Sequence, residues 1–243
     1  MGASAQFNQT QFDVVIAGGG TGGITVASRL RKIKKDLTIA IIEPSAQHYY
    51  QPLWTLVGGG VMSREKTVRS QKEVTPQGVT WIQDAITAFD PHGKSVTLKS
   101  GKNISYQSLV VALGLQVDWN KIPGLQEAIG KNGVCSNYSY ETVPYTWRAI
   151  SEFKGGRALF TFPNTPVKCG GAPQKIMYLA EDFFRKNHLR DKAQIEFFSA
   201  AATIFAVPKY AKALEGVIQK RGMHTHFKWN LVAIDGSKKE ATF

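Results

Sequence analysis

The sequence predicts an α/β chain of two three-layer units, each a parallel sheet flanked by helices, with an antiparallel meander and an incomplete C-terminal end. Three observations carry this. An almost unbroken apolar run over 12–17 ends in Gly18-Gly19-Gly20-Thr21-Gly22-Gly23 and passes straight into a helical pattern. Between Val79 and Leu113 the apolar period switches to two. From Arg157 onward, strand and helix patterns alternate again. A chain of 243 residues has room for two such units.

Each element follows from its residues. Residues 12–17, Phe-Asp-Val-Val-Ile-Ala, read as a strand buried on both faces, as inside a parallel sheet. The helix after the glycines carries Ile24, Ala27, Leu30 and Ile33 on one face, with Arg29, Arg31, Lys32, Lys34 and Lys35 opposite. Residues 37–42 are the second buried strand, and Glu43 stands at its C-terminal end. Residues 44–77 lack a clear period and are expected to be loop with a short helix. The expected meander runs through Val79 and Trp81, then 86–89, 95–98 and 104–113, with turns at 90–93 and 101–103.

In the second half, 158–162 is a strand and Pro173 stands at a first helical position. Ile176, Leu179, Ala180, Phe183 and Phe184 then form the apolar helix face. Residues 195–198 are a strand and 208–221 a basic amphipathic helix stopped by Gly222. Residues 224–234 are strand-like, 235–238 a turn and 240–243 a returning strand. The domains expected are 1–118 and 151–243, with 119–150 connecting them.

Composition narrows the function classes. With 43% hydrophobic and 20% charged residues, the chain is neither disordered, collagen-like nor coiled coil. Two cysteines make no disulfide scaffold and cannot complete a structural zinc site, so no metal is expected. The net charge of +12 concerns partners and not fold. Residues 1–11 lack the features of a signal or transit peptide, and Gln6 stands where myristoylation requires Ser or Thr. The longest apolar run, 197–207, is far short of the roughly 20 residues that cross a bilayer, so a soluble or peripheral chain is expected.

Gly18, Gly20 and Gly23 have the G-x-G-x-x-G spacing, placed between a strand and a helix, with Glu43 twenty positions beyond Gly23. Gly18 permits the tight turn, Gly20 lets backbone approach a pyrophosphate, and Gly23 lets helix pack on strand. The helix N-terminus supplies free N–H donors. Glu43 accepts ribose hydroxyls and disfavours an extra phosphate. Spacing does not separate FAD from NAD. The meander ending in Ala112-Leu113-Gly114 resembles the second flavin-contact motif of the flavoproteins with two dinucleotide-binding domains, which points to FAD.

In that class the second Rossmann-like unit carries another glycine motif for NAD(P)H. Here the equivalent turn is Phe162-Pro163-Asn164-Thr165-Pro166-Val167-Lys168-Cys169-Gly170-Gly171-Ala172-Pro173, with a cysteine in place of the glycine spacing. Cys169 lies just before a helix N-terminus, beside Lys168 and near Lys175, surroundings that favour the thiolate. The residues leave two readings open, a reactive thiolate and an inert buried cysteine.

Gly18 to Gly23, the 42–45 and 50–58 segments, Ser136-Asn137-Tyr138-Ser139 and above all 160–179 closely resemble the animal mitochondrial sulfide:quinone oxidoreductases. The resemblance implies that Cys169 is one of two redox cysteines that cycle through a bridge beside FAD. It further implies hydrogen sulfide as electron donor, ubiquinone as acceptor, and glutathione or sulfite as the small acceptor of sulfane sulfur. Thr21, Gly22, Glu43, Gln51 and the backbone at Ile86 are implied FAD contacts, beside Gly18, Gly20, Gly23, Ala112 and Gly114. The implied location is the mitochondrial inner membrane, peripherally.

The second redox cysteine, the closing flavin motif and the quinone-site helices of that family are not in 1–243. Cys135 could match a third cysteine of some bacterial members or be a small buried hydrophobe. A Cys135–Cys169 disulfide needs Cα atoms within about 7 Å. The alternatives are a type II NADH:quinone oxidoreductase-like flavoprotein and a non-catalytic fragment.

Weaker signals remain. His224 and His226 alternate on one strand face, and with no acid or cysteine nearby they are expected to be surface histidines. His48, Tyr49, Tyr50 and Trp54 form an aromatic cluster near Gln51, read as packing or as cofactor contact. The basic clusters at 29–35, 185–192 and 209–221 lie on helix faces; they suit an anionic membrane surface and carry no nucleic-acid module.

Overall fold

The computed structural model describes residues 9–243. The expectation at Gln6 lies outside the described residues. The chain divides into two compact units, one of residues up to Tyr50 with Lys66–Gln116, the other of Gln51–Glu65 with Val117–Phe243. This differs from the expected division: 119–150 belongs to the second unit instead of standing as a connection, and so does the excursion 51–65.

The first unit is built on β1 (Gln11–Ala17), helix α1 (Thr21–Ile33) and β2 (Ile39–Ile42), followed by β3 (Gln47–Tyr49), β4 (Val68–Ser70), β5 (Val79–Ile82), β6 (Ile86–Asp90), β7 (Ser95–Leu98) and β8 (Asn103–Val111). Its six-stranded sheet has the order β5-β2-β1-β8-β7-β6. β1 is parallel to both β2 and β8, while β6, β7 and β8 pair antiparallel. Val15, Ile16 and Ala17 are fully buried, as are Ala40 and Ile41 beside them. That two-sided burial is why both strands read as unbroken apolar runs.

Four details depart from expectation. β5 is not in the meander: it pairs parallel with β2 at the sheet edge. Alternation reports which face is buried, and the direction of the neighbouring strand leaves no trace in it. β8 stops at Val111, so Ala112-Leu113-Gly114 is the loop beyond the strand. Ile33 is 82% exposed, because the apolar stripe of α1 packs only through Leu30. Residues 44–77 also hold more structure than a loop: β3 and β4 pair antiparallel, and short helices form at Trp54–Gly58 and Gln71–Val74.

The second unit contains helix α2 (Val143–Ser151), β9 (Gly156–Phe162), α3 (Ala172–Lys186), β10 (Ala193–Ser199), α4 (Pro208–Lys220), β11 (His224–Phe227), β12 (Ala233–Asp235) and β13 (Glu240–Thr242). Its parallel sheet has the order β11-β10-β9, and β12 and β13 form a hairpin. Met177, Ala180 and Phe184 of α3 meet Ile195 and Phe197 of β10 and Ala211 and Ile218 of α4 in one core. Ile176 and Phe183 only flank it, so the buried stripe lies one position round from the one expected.

Pro173 is the second residue of α3 and not the first. α2 buries Val143, Thr146 and Ile150, and Ile150 joins the same core, which makes 143–151 part of this unit. The expected strand over 224–234 breaks at Lys228, whose φ of 62° no β-strand accommodates.

Candidate functional site

The glycine loop turns between β1 and α1. Gly18 has φ 102°, and a Cβ on it would lie 2.4 Å from the Ala112 carbonyl oxygen. A Cβ on Gly23 would lie 2.0 Å from the Gly18 carbonyl oxygen, which is how α1 comes to rest on the turn. Gly20 is different: it is exposed, and no atom lies within 4 Å of where its Cβ would be. Gly22 is also open, with only the Ala112 methyl at 3.9 Å. Thr21 is the first residue of α1, which has no side-chain cap and no acid in its first turn. Its first N–H groups therefore have no side-chain cap, the condition in which a helix start favours an anion.

Glu43 closes one side. Its Oε2 accepts the Gly19 N–H at 2.9 Å and its Oε1 the Ser45 N–H at 2.9 Å. Each oxygen keeps further lone-pair capacity for a hydroxyl. The Trp81 indole N–H donates to the Glu43 carbonyl at 2.8 Å, and the Glu43 N–H donates to the Ile82 carbonyl at 3.0 Å. Ala112 donates its N–H to the Ala17 carbonyl at 2.8 Å, and Gly114 has φ 74° with open space around it.

Gly18, Gly20, Thr21, Gly22, Gly23, Glu43 and Ala112 are thus brought together. Gly114 follows two residues on, and Ile86 opens β6 four positions past Ile82. Gln51 opens a 3₁₀ turn in the second unit. The aromatic cluster expected around it is divided: His48 faces the Gly19 carbonyl at 3.3 Å, whereas Trp54 is buried in the second unit, 6.3 Å from the Tyr140 ring.

In the second unit, Cys169 is half-buried in the turn before α3, and its carbonyl accepts the Ala172 N–H at 3.0 Å. Gly170 and Gly171 have the Phe205 ring beside them, at 3.9 and 4.0 Å from their would-be Cβ atoms. The Lys168 ammonium sits 5.9 Å from the centre of the Tyr138 ring. Burial, and then the nearby Cys169 sulfur, push the Tyr138 phenol above its usual range, so Tyr138 stays protonated beside that sulfur.

Cys135 is a free thiol, as is Cys169, so no bridge joins them. It donates to the Gly133 carbonyl at 3.6 Å, and burial pushes its thiol up to about 11 despite the Thr146 hydroxyl beside it. Among the described residues no three His, Cys, Asp or Glu side chains cluster as metal ligands. His226, expected on a bare surface, is half-buried, stacked on Phe198 with ring centres 4.3 Å apart, its Nε2 3.0 Å from Glu196. The acid comes from the neighbouring strand, thirty positions away, where sequence spacing cannot show it.

Residues 12–144 match the pyridine nucleotide-disulphide oxidoreductase family. The chain belongs to that family. Within it, the chain is 49% identical to the mitochondrial sulfide:quinone oxidoreductase of Mus musculus, over 97% of this chain and 52% of that protein. It is equally 49% identical to the mitochondrial sulfide:quinone oxidoreductase of Dictyostelium discoideum, over 95% of this chain and 51% of that protein. The solved sulfide:quinone oxidoreductase of Aquifex aeolicus matches in fold with a TM-score of 0.74 at 21% identity, covering 94% of this chain and 55% of that one. The chain spans about half the length of these relatives.

Sequence spacing pointed to the glycines and Glu43 but missed Gln71 and Tyr138. Gln71 is buried and donates to the Gly19 carbonyl at 3.1 Å. Tyr138 stands within the 136–139 segment, and nothing in its spacing links it to Cys169.

Proposed function

We propose that this chain carries the dinucleotide-binding and sulfur-handling parts of a sulfide:quinone oxidoreductase, with FAD as cofactor and hydrogen sulfide as electron donor. The observation that carries the reading is the turn at Cys169, where a half-buried cysteine leads into α3 in place of a second glycine motif. A turn without that motif suits an enzyme whose electrons come from sulfide and not from NAD(P)H.

The first unit fits FAD. The unfilled faces of Gly20 and Gly22 and the uncapped start of α1 leave room and donors for the pyrophosphate. Glu43 has oxygen capacity left for ribose hydroxyls, and Ala112 and Gly114 line the loop beyond β8. Gly18 and Gly23 act by shaping the turn.

In the proposed chemistry, hydrosulfide attacks a disulfide between Cys169 and a second cysteine outside this chain. The S–S bond breaks, one sulfur leaves as thiolate and the other carries the persulfide. A small acceptor, glutathione or sulfite, takes the sulfane sulfur, and re-forming the disulfide releases two electrons. FAD, when bound, supplies the two-electron relay to a quinone. Ubiquinone, the mitochondrial inner membrane and an anionic lipid surface complete the reading; the net charge of +12 favours such a surface. No described helix is long and apolar enough to cross a membrane.

The test is reductant choice. The purified chain, together with the segment that supplies the second cysteine, is loaded with FAD under anaerobic conditions and its visible band followed after sulfide or NADH. Bleaching by sulfide and not by NADH is expected; bleaching by NADH alone would overturn the reading in favour of an NADH:quinone oxidoreductase.

A further inference from the structure

Gly19 is a position the glycine motif leaves unspecified. In this fold its two peptide groups are gripped from three directions. Its N–H donates to Glu43 Oε2 at 2.9 Å, and its carbonyl oxygen accepts from Gln71 Nε2 at 3.1 Å while facing His48 Nδ1 at 3.3 Å. A carbonyl only accepts, so His48 carries its proton on Nδ1 and Gln71 presents its amide nitrogen. Gln71 is 1% exposed and comes from the short helix Gln71–Val74, fifty-two positions along the chain. Side chains leave no room at Gly19: a Cβ would meet Gln71 Nε2 at 2.6 Å and Glu43 Cβ at 2.7 Å.

The consequence falls on the next residue. The chain has no cis peptide, and in a planar trans unit the Gly19 carbonyl and the Gly20 N–H point in opposite directions. Holding the carbonyl inward aims the Gly20 N–H outward. Gly20 is exposed, its would-be Cβ meets nothing within 4 Å, and its N–H makes no hydrogen bond within the described residues. A peptide between two glycines turns over with little steric resistance. The flipped form would present the Gly19 oxygen, an acceptor, where an anion needs a donor.

We infer that Gln71 and His48 are positioning residues that lock the Gly19–Gly20 peptide with its N–H outward, as a preset donor to the diphosphate of a dinucleotide. The inference rests on the reading of this loop as a dinucleotide cradle.

The test uses the full chain labelled with ¹⁵N-glycine, as wild type, Gln71→Leu, His48→Phe and the double variant. FAD affinity is read from quenching of flavin fluorescence, and the Gly20 amide signal is read without ligand. The expected result is one Gly20 signal in the wild type and a second or displaced signal in the variants. FAD affinity falls about tenfold in Gln71→Leu and further in the double variant, the scale of one lost charge-assisted hydrogen bond. Unchanged affinity with an unmoved Gly20 signal in Gln71→Leu would overturn the lock. If Gln71→Leu does not fold, His48→Phe decides by the same two readouts. If the wild type binds no FAD, the cradle reading fails, and the Gly20 signal alone decides whether the lock exists.

Discussion

Gly20 and Gly23 share a motif and do opposite work. A methyl at 23 would sit 2.0 Å from the Gly18 carbonyl oxygen, so Gly23→Ala has to push α1 off the turn, an overpacking that costs about 1–3 kcal/mol. A methyl at 20 meets nothing within 4 Å, and its φ of −68° suits alanine. Gly20→Ala should therefore melt like the wild type while losing affinity for FAD, whereas Gly23→Ala should lower the melting temperature itself. Paired thermal melts and flavin titrations check both. The cysteines divide in the same way. Burial holds the Cys135 thiol up at about 11, so iodoacetamide near pH 8 should label Cys169 and spare Cys135 in the folded chain. Denaturation should expose both, and peptide mass mapping reads the result. What was legible at this scale was spacing: glycines at fixed offsets and an acid at a strand end. Gln71 and His48 meet a backbone carbonyl, and Tyr138 feels a sulfur, each far along the chain, and such pairings leave no period to read.

β9, β10 and β11 are joined by hydrogen bonds and also by a buried carboxylate, Glu196, which accepts from Arg157 Nε at 2.8 Å and pairs with His226 at 3.0 Å. Arg157 first, and then His226, hold the Glu196 carboxyl below its usual range. A carboxyl depressed in the folded state contributes stability above its unfolded value, about 4.3, and that contribution is lost as pH falls through the folded value. Glu196→Gln should thus flatten the loss of melting temperature between about pH 6 and pH 3 relative to the wild type. An acid limb as steep as the wild type's would remove Glu196 from this role. Long apolar runs such as 12–17 and 37–42 were legible because two-sided burial writes itself into every residue. β5 reads as part of the meander, and pairs parallel with β2 instead, because alternation is blind to strand direction. α2 buries Val143, Thr146 and Ile150 at helical spacing, a face whose middle residue is polar and so is faint in a hydrophobic pattern. Lys228 ended a strand that its neighbours' composition would have continued.

At the scale of the molecule, the glycine loop belongs to one unit and Cys169 to the other, and each is set by its own sheet. The central claim is that these two features serve one redox reaction, with Cys169 as its sulfur. The most direct measurement is an anaerobic visible spectrum, before and after sulfide, of the FAD-loaded chain together with the segment that supplies the second cysteine, for the wild type, Cys169→Ser and Cys135→Ser. Bleaching of the flavin band is expected in the wild type and in Cys135→Ser, and none in Cys169→Ser. Equal bleaching in Cys169→Ser would contradict it, because sulfide would then be reaching the flavin without the cysteine on which the proposal stands.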